Sequence, residues 1–244
     1  MEPSFLAVPS IVLLALLALR RGYLTQRGTI SAIVVGSVVA VAHTGLFVLL
    51  AIFFLASSLL TRVRAEWKKS LGLKDVGGRS LRQVAGVGGP VAIFAALYMA
   101  TGRVEFLGAA VVAIAVATAD TWASEVGVAY GGAPRYILAP WRKVEPGLSG
   151  GVTLAGTAAS LAGAFFIAVL AWVIHAPVSP WKIFLFGYIG ELLDSVLGAL
   201  AQRKYICGSF MSETPRAGCV ERGFLNNESV NFLSGITVGL LSIL

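Results

Sequence analysis

The sequence predicts an all-α fold, a polytopic membrane bundle of about eight transmembrane helices. Composition indicates this class, because 57% of the residues are hydrophobic, 13% are charged and the mean hydropathy is +0.84. A second indication is a series of apolar stretches near the length of about 20 residues that a bilayer requires. They occupy residues 5–19, 29–42, 45–61, 84–101, 106–128, 151–174, 182–201 and 229–244.

The first three helices are separated by short polar breaks. Residues 5–19 run into Arg20 and Arg21 with no basic segment before them and no small-residue cleavage site, so we expect a retained first helix. The apolar region 30–60 is too long for one span, and the polar "AHTG" at 42–45 predicts a break there. No polar linker divides the chain, so residues 1–244 are expected to form one integral membrane domain.

Loop charges are the third indication, and they also predict the orientation. With the N-terminus outside, 17 of the 19 Lys and Arg residues fall in inner connections, Lys74 and Arg216 among them, and only Arg103 and Lys182 fall outside. We therefore expect both termini outside and the long polar connections 62–83, 129–150 and 202–228 in the cytosol. An active site would face the cytosol, and in a prokaryote the membrane would be the cell membrane.

The charge and the cysteines exclude two other classes of function. The net charge of +7 does not indicate a nucleic-acid partner, because the basic residues are spread over loops without an aromatic-interleaved basic face. Cys207 and Cys219 lie in one polar segment without the spacing of a zinc site, so we expect reduced, incidental thiols.

The fifth predicted helix ends in "ATADTWASEVG" and places two carboxylates in a membrane segment. Asp120 and Ser124 share one helix face, and Thr121 and Glu125 share the adjoining face. Such groups can cap the cytosolic end or satisfy neighbouring helices. Two carboxylates without a Lys or Arg nearby in the sequence favour a functional site, because ionisable groups in membranes are costly.

The seventh predicted helix repeats the pattern in "GELLDSVLGAL". Glu191, Asp194, Ser195 and Gly198 follow i, i+3, i+4, i+7 spacing and share one stripe. Both acidic helices run from outside to inside, so their carboxylates can meet at the cytosolic end of the bundle. Like charges that close require a cation, and hard oxygen ligands suit Mg²⁺.

A glycine-rich loop lies between the two acidic helices, in "EPGLSGGVTLAGTAAS" at 145–160. Glycines let backbone amides approach a ligand, and the helix that opens near Ser149 or Thr153 offers an anion site at its N-terminus. The loop does not match the Walker pattern. A tight turn followed by small helix-packing residues is the alternative interpretation. The candidate phosphate-binding residues here are Gly147, Ser149, Gly150, Gly151 and Thr153.

Two further segments carry candidate binding residues. Arg79, Arg82 and Gln83 lie in "GGRSLRQVAGVGGP" at 77–90, where arginine suits phosphate oxygens but positive-inside topology also calls for charge. The last helix opens with "LNNESVNFLS", in which Asn226 or Asn227 can serve as the helix cap. Asn231 is expected inside the membrane boundary, where an unpaired amide is costly.

Four of these motifs, "ADTWASEVG", "PGLSGGVTLAGTAAS", "LDSVLGA" and "NNESVNFLS", carry a family resemblance in this order. They resemble the multi-pass membrane family, formerly of unknown function, that includes the plant and cyanobacterial phytyl-phosphate kinases. The resemblance covers most of the chain, from "RRGYLTQRGTISAIVVG" onward. Leu148 and Ser149 stand where the family pattern has a Thr-Asn pair, and "VAGVGGP" replaces a version with an asparagine. These departures bear on the preference for substrate or nucleotide.

The resemblance implies an isoprenoid-phosphate kinase with Mg²⁺ as cofactor. A phosphoryl group would pass from a nucleoside triphosphate, CTP in particular, to an isoprenoid monophosphate such as phytyl or geranylgeranyl phosphate, beside membrane lipid. The metal ligands would be Asp120, Glu125 and Asp194, with Glu191 as a further catalytic candidate. The amides of Gly147, Gly150 and Gly151 would cradle phosphates, and Arg79, Arg82, Arg142 and Lys143 would clamp them. Other candidate contacts to substrate or nucleotide are Gln83, Thr121, Ser124, Ser149, Thr153, Ser195, Asn226, Asn227 and Asn231.

Several alternatives stay open from the sequence. A transporter or lipid flippase also uses intramembrane acids, but it favours acids near the bilayer midplane and inverted repeats. Here the acids cluster towards one side on two parallel helices, which favours an enzyme. A CTP-dependent polyprenol kinase acting on the free alcohol and a cytidylyltransferase acting on a lipid phosphate would use similar carboxylates. The sequence leaves the oligomeric state open.

Overall fold

The chain folds as a bundle of apolar helices. A computed structural model describes residues 7–71, 77–208, 210–215 and 217–244. Lys74 and Arg216, which belong to the predicted inner basic residues, lie outside this described part. Within it the helices are α1 (Ala7–Arg20), α2 (Gln26–Ala42), α3 (Thr44–Arg62), α4 (Ala65–Ser70), α5 (Leu81–Thr101), α6 (Val104–Tyr130), α7 (Leu154–Val173), α8 (Pro180–Ala201) and α9 (Asn227–Leu241).

Each of the eight predicted apolar stretches forms a helix, and α4 is an additional short one that was not predicted. Within the described residues, five helices are long and apolar enough to cross a membrane: α3, α5, α6, α7 and α8. The helices α1 and α2 are apolar but shorter, and α9 has 15 residues and opens on Asn-Glu-Ser. The helical bundle is therefore confirmed and five of its helices suit a membrane, while the full set of eight spans and the outside position of the termini remain predictions.

Polar residues mark the helix starts, as helix capping requires. The predicted break between the second and third helices is confirmed at His43, whose Nδ1 accepts the Leu46 N–H at 3.3 Å. Thr25 caps α2 by accepting the Gly28 N–H at 3.1 Å. These caps satisfy backbone donors that a helix leaves unpaired at its first turn.

The centre of the bundle is α6, against which α3, α5, α7, α8 and α9 all pack. Residues 107–116 of α6 are buried on every side, and they are almost all Gly, Ala or Val. In lipid, helices associate through close packing of small residues rather than through the hydrophobic effect. Gly187 of α8 shows this, because a Cβ there would lie 2.9 Å from the Ala115 Cβ and 3.1 Å from the Ala164 Cβ.

Two small antiparallel sheets are formed by the connections, so the all-α prediction is incomplete. The first has the order β2-β1-β3, and the second has the order β5-β4-β6. Strands of two to five residues are too short for an alternating hydrophobic pattern to reveal them. Their bounds are β1 (Arg135–Tyr136), β2 (Ala139–Lys143), β3 (Gly151–Val152), β4 (Lys204–Cys207), β5 (Phe210–Ser212) and β6 (Val220–Arg222).

The second sheet carries a disulfide, so the prediction of two reduced thiols is wrong for this structure. Strand β4 pairs with β6 so that Ile206 lies opposite Val220, and this register brings Cys207 and Cys219 together with Cα atoms 4.5 Å apart. Sequence spacing alone does not reveal such a strand pairing. Because disulfides are rare in the cytosol, this bond argues against the cytosolic position predicted for the segment.

Candidate functional site

A cavity of about 720 Å³ opens at one end of the bundle. Its lining comes from α6 and α8, from the glycine-rich loop and from parts of the connections 62–83, 129–150 and 202–228. The three long polar connections that were predicted to share one side therefore do surround a single cavity.

Most of the predicted site residues line this cavity, and a few do not. Those that line it are Gln83, Asp120, Ser124, Glu125, Gly147, Ser149, Gly150, Gly151, Thr153, Glu191, Asp194, Ser195 and Asn227. The lining does not include Arg79, Arg82, Thr121, Arg142, Lys143, Asn226 or Asn231. All four predicted phosphate clamps fall in this second group; the guanidinium of Arg79, for example, lies 5.7 Å from the ring centre of Phe53.

The cavity is acidic although the chain is basic. Of the described residues that line it, one is basic, Lys68, and seven are acidic: Asp120, Glu125, Glu145, Glu191, Asp194, Glu213 and Glu228. The whole chain has a net charge of +7, so acidic residues are concentrated here. A cavity lined mainly by residues of one sign of charge attracts counter-ions. The cavity therefore favours a cationic ligand or an anionic ligand that enters with metal ions.

Asp120 of α6 and Asp194 of α8 line a common small cavity beside α9, which we call the Asp120–Asp194 junction. Both line the large cavity and also a second one of about 10 Å³, which Asn231 and Ser234 share. The Ser234 hydroxyl donates to Asp194 Oδ2 at 2.8 Å. With its amide nitrogen facing Asp194, Asn231 donates to the same oxygen and to the Asn227 carbonyl, both at 3.1 Å. Helix α9 thus fixes the orientation of the Asp194 carboxylate.

Glu191 lies one turn before Asp194 on α8 and is buried among hydroxyl groups. Its two carboxylate oxygens accept hydrogen bonds from Ser160 of α7 at 3.3 Å and from Ser195 at 3.1 Å. The predicted site residue Ser195 is therefore engaged with Glu191. Ser160 and Ser234 were not predicted, because a serine in an apolar helix carries little sequence signal.

Glu125 has a cationic partner that the sequence did not reveal. Lys68 Nζ lies 2.5 Å from Glu125 Oε2, and the Thr61 hydroxyl donates to Oε1 at 2.5 Å. The side chains of Lys68 and Glu125 are only 3% and 11% exposed. Lys68 is 57 residues away in the chain, and it arrives because α4 lies against the cavity end of α6. The expectation that these carboxylates have no nearby Lys or Arg is thus wrong for Glu125.

The carboxylates at this end of the bundle suit Mg²⁺ only when other ligands complete its coordination. Among the described residues, no three His, Cys, Asp or Glu side chains form a group that could hold a metal ion. Asp120 and Asp194 supply two carboxylates around one small cavity. Mg²⁺ commonly binds through one or two carboxylates together with water and substrate phosphates. The residues therefore suit a metal that arrives with a phosphate ligand better than a metal in an all-protein cage.

The glycine-rich loop folds tightly against the C-terminal end of α8. Gly147 and Gly150 have φ of +88° and +79°, a region that favours glycine. A Cβ on Gly150 would also lie 2.5 Å from the Ala199 Cβ. The Gly151 N–H donates to the Leu148 carbonyl at 2.9 Å, so this amide is used within the loop rather than offered to a ligand.

Three of the predicted binding residues have roles at helix ends, and a fourth, Thr121, makes a contact inside α6. Thr153 is the N-cap of α7 and accepts the Gly156 N–H at 2.9 Å, so the helix opens at Thr153 and not at Ser149. Gln83 completes a capping box on α5, and Asn226 caps α9. Thr121 accepts the Ser124 hydroxyl through its carbonyl oxygen at 3.0 Å.

Ser149 connects the glycine-rich loop to the segment that follows β5. Its N–H donates to Glu213 Oε1 at 2.7 Å, and its hydroxyl donates to the same oxygen. Gln202 Nε2 donates to that oxygen at 3.2 Å. Neither Gln202 nor Glu213 was predicted, because Glu213 follows Ser149 by 64 residues and no local pattern links them.

Comparison with known proteins identifies the family. Residues 9–239 match the family described as integral membrane protein DUF92, and the match spans all four motifs. The chain belongs to the DUF92 family. This confirms the family that the motifs resembled. No solved structure matches the chain.

Similar proteins occur in archaea and plants. An uncharacterised membrane protein of Methanocaldococcus jannaschii is 31% identical over 98% of this chain and 93% of its own length. Protein PGR of Arabidopsis thaliana is 27% identical over 99% of this chain and 96% of its own length. The chloroplastic protein VTE6 of the same plant is 29% identical over 65% of this chain and 50% of its own length.

Proposed function

We propose that this chain is a membrane-embedded isoprenoid-phosphate kinase. It transfers a phosphoryl group from a nucleoside triphosphate, with CTP as the expected donor, to a monophosphate of phytyl or geranylgeranyl type. The product is the isoprenoid diphosphate. The reaction takes place at the membrane face that the three long polar connections occupy, with Mg²⁺ as cofactor. The basic residues of these connections predict that this is the cytosolic face of the cell membrane, although one connection carries the disulfide. The motif resemblance to phytyl-phosphate kinases and the similarity to VTE6 support this choice of chemistry.

One observation carries the proposal: the acidic cavity joins the Asp120–Asp194 junction to the glycine-rich loop at the end of a membrane bundle. Phosphoryl transfer requires little covalent chemistry from a protein, and depends mainly on positioning and charge neutralisation. A lipid-anchored phosphate and a water-borne nucleotide can meet at such a membrane end. This location also explains why a small-molecule kinase would be an integral membrane protein.

The bond changes make modest demands on the protein. A phosphate oxygen of the acceptor forms a bond to the γ-phosphorus of the donor, and the bond between that phosphorus and the β,γ-bridging oxygen breaks. The nucleoside diphosphate leaves. The acceptor phosphate is largely ionised at neutral pH, because its second pKa is about 6, so no strong general base is needed.

The contacts favour Asp120 and Asp194 over Glu125 as Mg²⁺ ligands. Asp120 and Asp194 share a small cavity, whereas Glu125 is paired with Lys68 and Thr61. Mg²⁺, when bound with the nucleotide, would neutralise the charge that develops on the phosphate oxygens. Ser234 and Asn231 hold the Asp194 carboxylate in place. Glu191, held by two serines, remains a further candidate at the same end of α8.

The packing in the first half of α6, away from the cavity, favours an enzyme over a transporter. A substrate pathway would need polar groups and space across the bundle, as transporters have near the membrane midplane. Residues 107–116 of α6 are instead buried by tight packing of small side chains. The acidic groups and the large cavity lie at one end.

The test is an assay of purified protein with each of the four nucleoside triphosphates, Mg²⁺, and phytyl or geranylgeranyl monophosphate, with products read by mass spectrometry. We expect the diphosphate, formed with one preferred nucleotide and abolished by a metal chelator. Parallel reactions with the free alcohols test the polyprenol kinase. A cytidylyltransferase would instead release pyrophosphate and leave a cytidylyl group on the lipid. No product with any donor, from protein shown to be folded, would contradict the proposal and direct the next assay to liposome transport.

A further inference from the structure

We infer that Ser149 and Gln202 form an anion subsite for a phosphate group of the nucleotide. The carboxylate of Glu213 fills this subsite in the free protein, and the phosphate displaces it. The identity of the anion rests on the proposed function. The subsite itself rests on the geometry around one carboxylate oxygen.

That oxygen, Glu213 Oε1, accepts three hydrogen bonds at once. Two come from Ser149, through its N–H at 2.7 Å and through its hydroxyl, and the third comes from Gln202 Nε2 at 3.2 Å. Three donors converging on one anionic oxygen are the arrangement that a protein offers to a phosphate oxygen. All three residues line the same cavity as Asp120 and Asp194.

The donors are held in place by the loop and by α8. Leu148 is buried, and its carbonyl accepts the Gly151 N–H, which fixes the turn around Ser149. Gly198 allows the close approach, because a Cβ there would lie 3.2 Å from the Ser149 Cβ. Gln202 is buried at the C-terminal end of α8. An anion entering here would therefore meet preorganised donors.

A buried cation lies close enough to Glu213 to interact with its charge. Lys204 Nζ donates to the carbonyls of Gly198 and Ala199 at 3.0 and 2.7 Å and to the Tyr136 hydroxyl at 3.3 Å. Burial lowers the pKa of the Lys204 ammonium, and the negative charge of Glu213 acts in the opposite direction. A phosphate in the place of the Glu213 carboxylate would provide the same compensation.

Glu213 is placed so that it can leave at low cost. It is exposed, and it directly follows β5. The turn that presents it is closed by the Thr214 N–H, which donates to the Ser212 hydroxyl at 3.1 Å. Because water can solvate an exposed carboxylate once it is released, the occupant can exchange with a substrate phosphate. Its presence lowers the apparent affinity for that phosphate in proportion to the fraction of molecules in which the subsite is closed.

Binding of inorganic pyrophosphate at a fixed Mg²⁺ concentration, measured by calorimetry on the full chain in detergent, tests this inference. If Glu213 closes the subsite in about 90% of molecules, Glu213→Ala should bind pyrophosphate about ten-fold more tightly than the unaltered chain. Glu145→Ala is the matched control, because Glu145 lines the same cavity and its side chain is not among the groups that contact Ser149. It should change the affinity less than about three-fold, a purely electrostatic effect. Adding Ser149→Ala to Glu213→Ala should cancel most of the gain.

An unchanged or weaker affinity in Glu213→Ala would overturn the inference, as would an equal gain in Glu145→Ala. If Glu213→Ala does not fold, Glu213→Gln, which keeps the shape and removes the charge, should give a smaller gain in the same direction. Pyrophosphate binding requires no transfer. A folded chain that shows the gain but makes no diphosphate keeps the anion subsite and loses the kinase; a chain that makes diphosphate without the gain loses only the displaceable occupant.

Discussion

Two neighbouring regions of α6 follow different rules. Residues 107–116, the packed half, are small and apolar and are buried on all sides. Residues 120–125, the cavity end, begin one turn later and carry two carboxylates that face a cavity. In the packed half the backbones approach closely, as at Gly187. At the cavity end, polar side chains on α3, α4 and α9 surround the carboxylates.

One helix can therefore support a rigid scaffold along one half of its length and a polar site along the next. Small residues make the packed half tight, because van der Waals contact is the main attraction between helices in lipid. The cavity end tolerates carboxylates because neighbouring hydroxyls, an amide and a lysine compensate for their loss of water. Substitutions in the packed half should therefore act on stability alone, and those at the cavity end should act on chemistry or, where a buried charge loses its partner, on stability as well.

The largest effect is expected at the Asp120–Asp194 junction. Asp120→Asn and Asp194→Asn should each lower diphosphate formation at least about 10³-fold, or about 4 kcal/mol, because the amide no longer offers a negative charge to a metal-bound phosphate. Glu105→Gln makes the same chemical change in the exposed first turn of α6, beside Arg103, and should keep full activity. Size-exclusion chromatography checks folding. Full activity in either Asp variant would remove that residue from the site.

Breaking the ion pair at the cavity end should cost the most stability. Lys68→Met leaves Glu125 buried without its cation and should lower the free energy of unfolding by about 3 kcal/mol. Adding Glu125→Gln should restore most of this loss. Lys69→Met is the matched control, because the side chains of Lys69 and its partner Glu66 are 55% and 87% exposed. Unfolding in mixed micelles gives the free energy of unfolding of the unaltered chain and the three variants. Equal losses in the two single lysine variants would contradict a special role for Lys68.

In the packed half, a single methyl group should be costly. Gly187→Ala should lower the free energy of unfolding by about 2 kcal/mol, because the new Cβ overlaps Ala115 and Ala164 and the helices must separate. Gly108→Ala, on α6 itself, meets Val178 at an ordinary 3.4 Å and should be tolerated. Thermal unfolding in detergent compares the two. Similar melting temperatures would show that the packed half is looser than the contacts indicate.

The smallest effect is expected at Thr153, and it separates capping from substrate binding. Thr153→Ala should lower the stability by about 1 kcal/mol, because α7 loses its N-cap. Thr153→Ser keeps the capping hydroxyl and should behave like the unaltered chain in both stability and transfer. A loss of transfer in the serine variant, with stability intact, would instead assign Thr153 a direct role in the site.

Much of this molecule is predictable from its sequence. Apolar length predicts the helices to within a few residues, and "AHTG" predicts the break at His43. The four polar motifs predict the family, and most of the site residues predicted within them line the cavity. The basic clamps were misplaced because positive charge in a membrane protein also reflects topology, and that signal looks the same in the sequence as a phosphate site.

Residue composition and pattern are sufficient to predict the apolar surroundings of the chain, its helices, its family and the acidic character of one end. The partner of each carboxylate depends instead on the fold: Lys68 for Glu125, Ser234 for Asp194, and Ser149 for Glu213. These pairs are separated by 57, 40 and 64 residues. Helix periodicity assigns a residue to a face, but the neighbour on that face depends on how the helices pack and where the connections fold back. A local pattern carries no information about either.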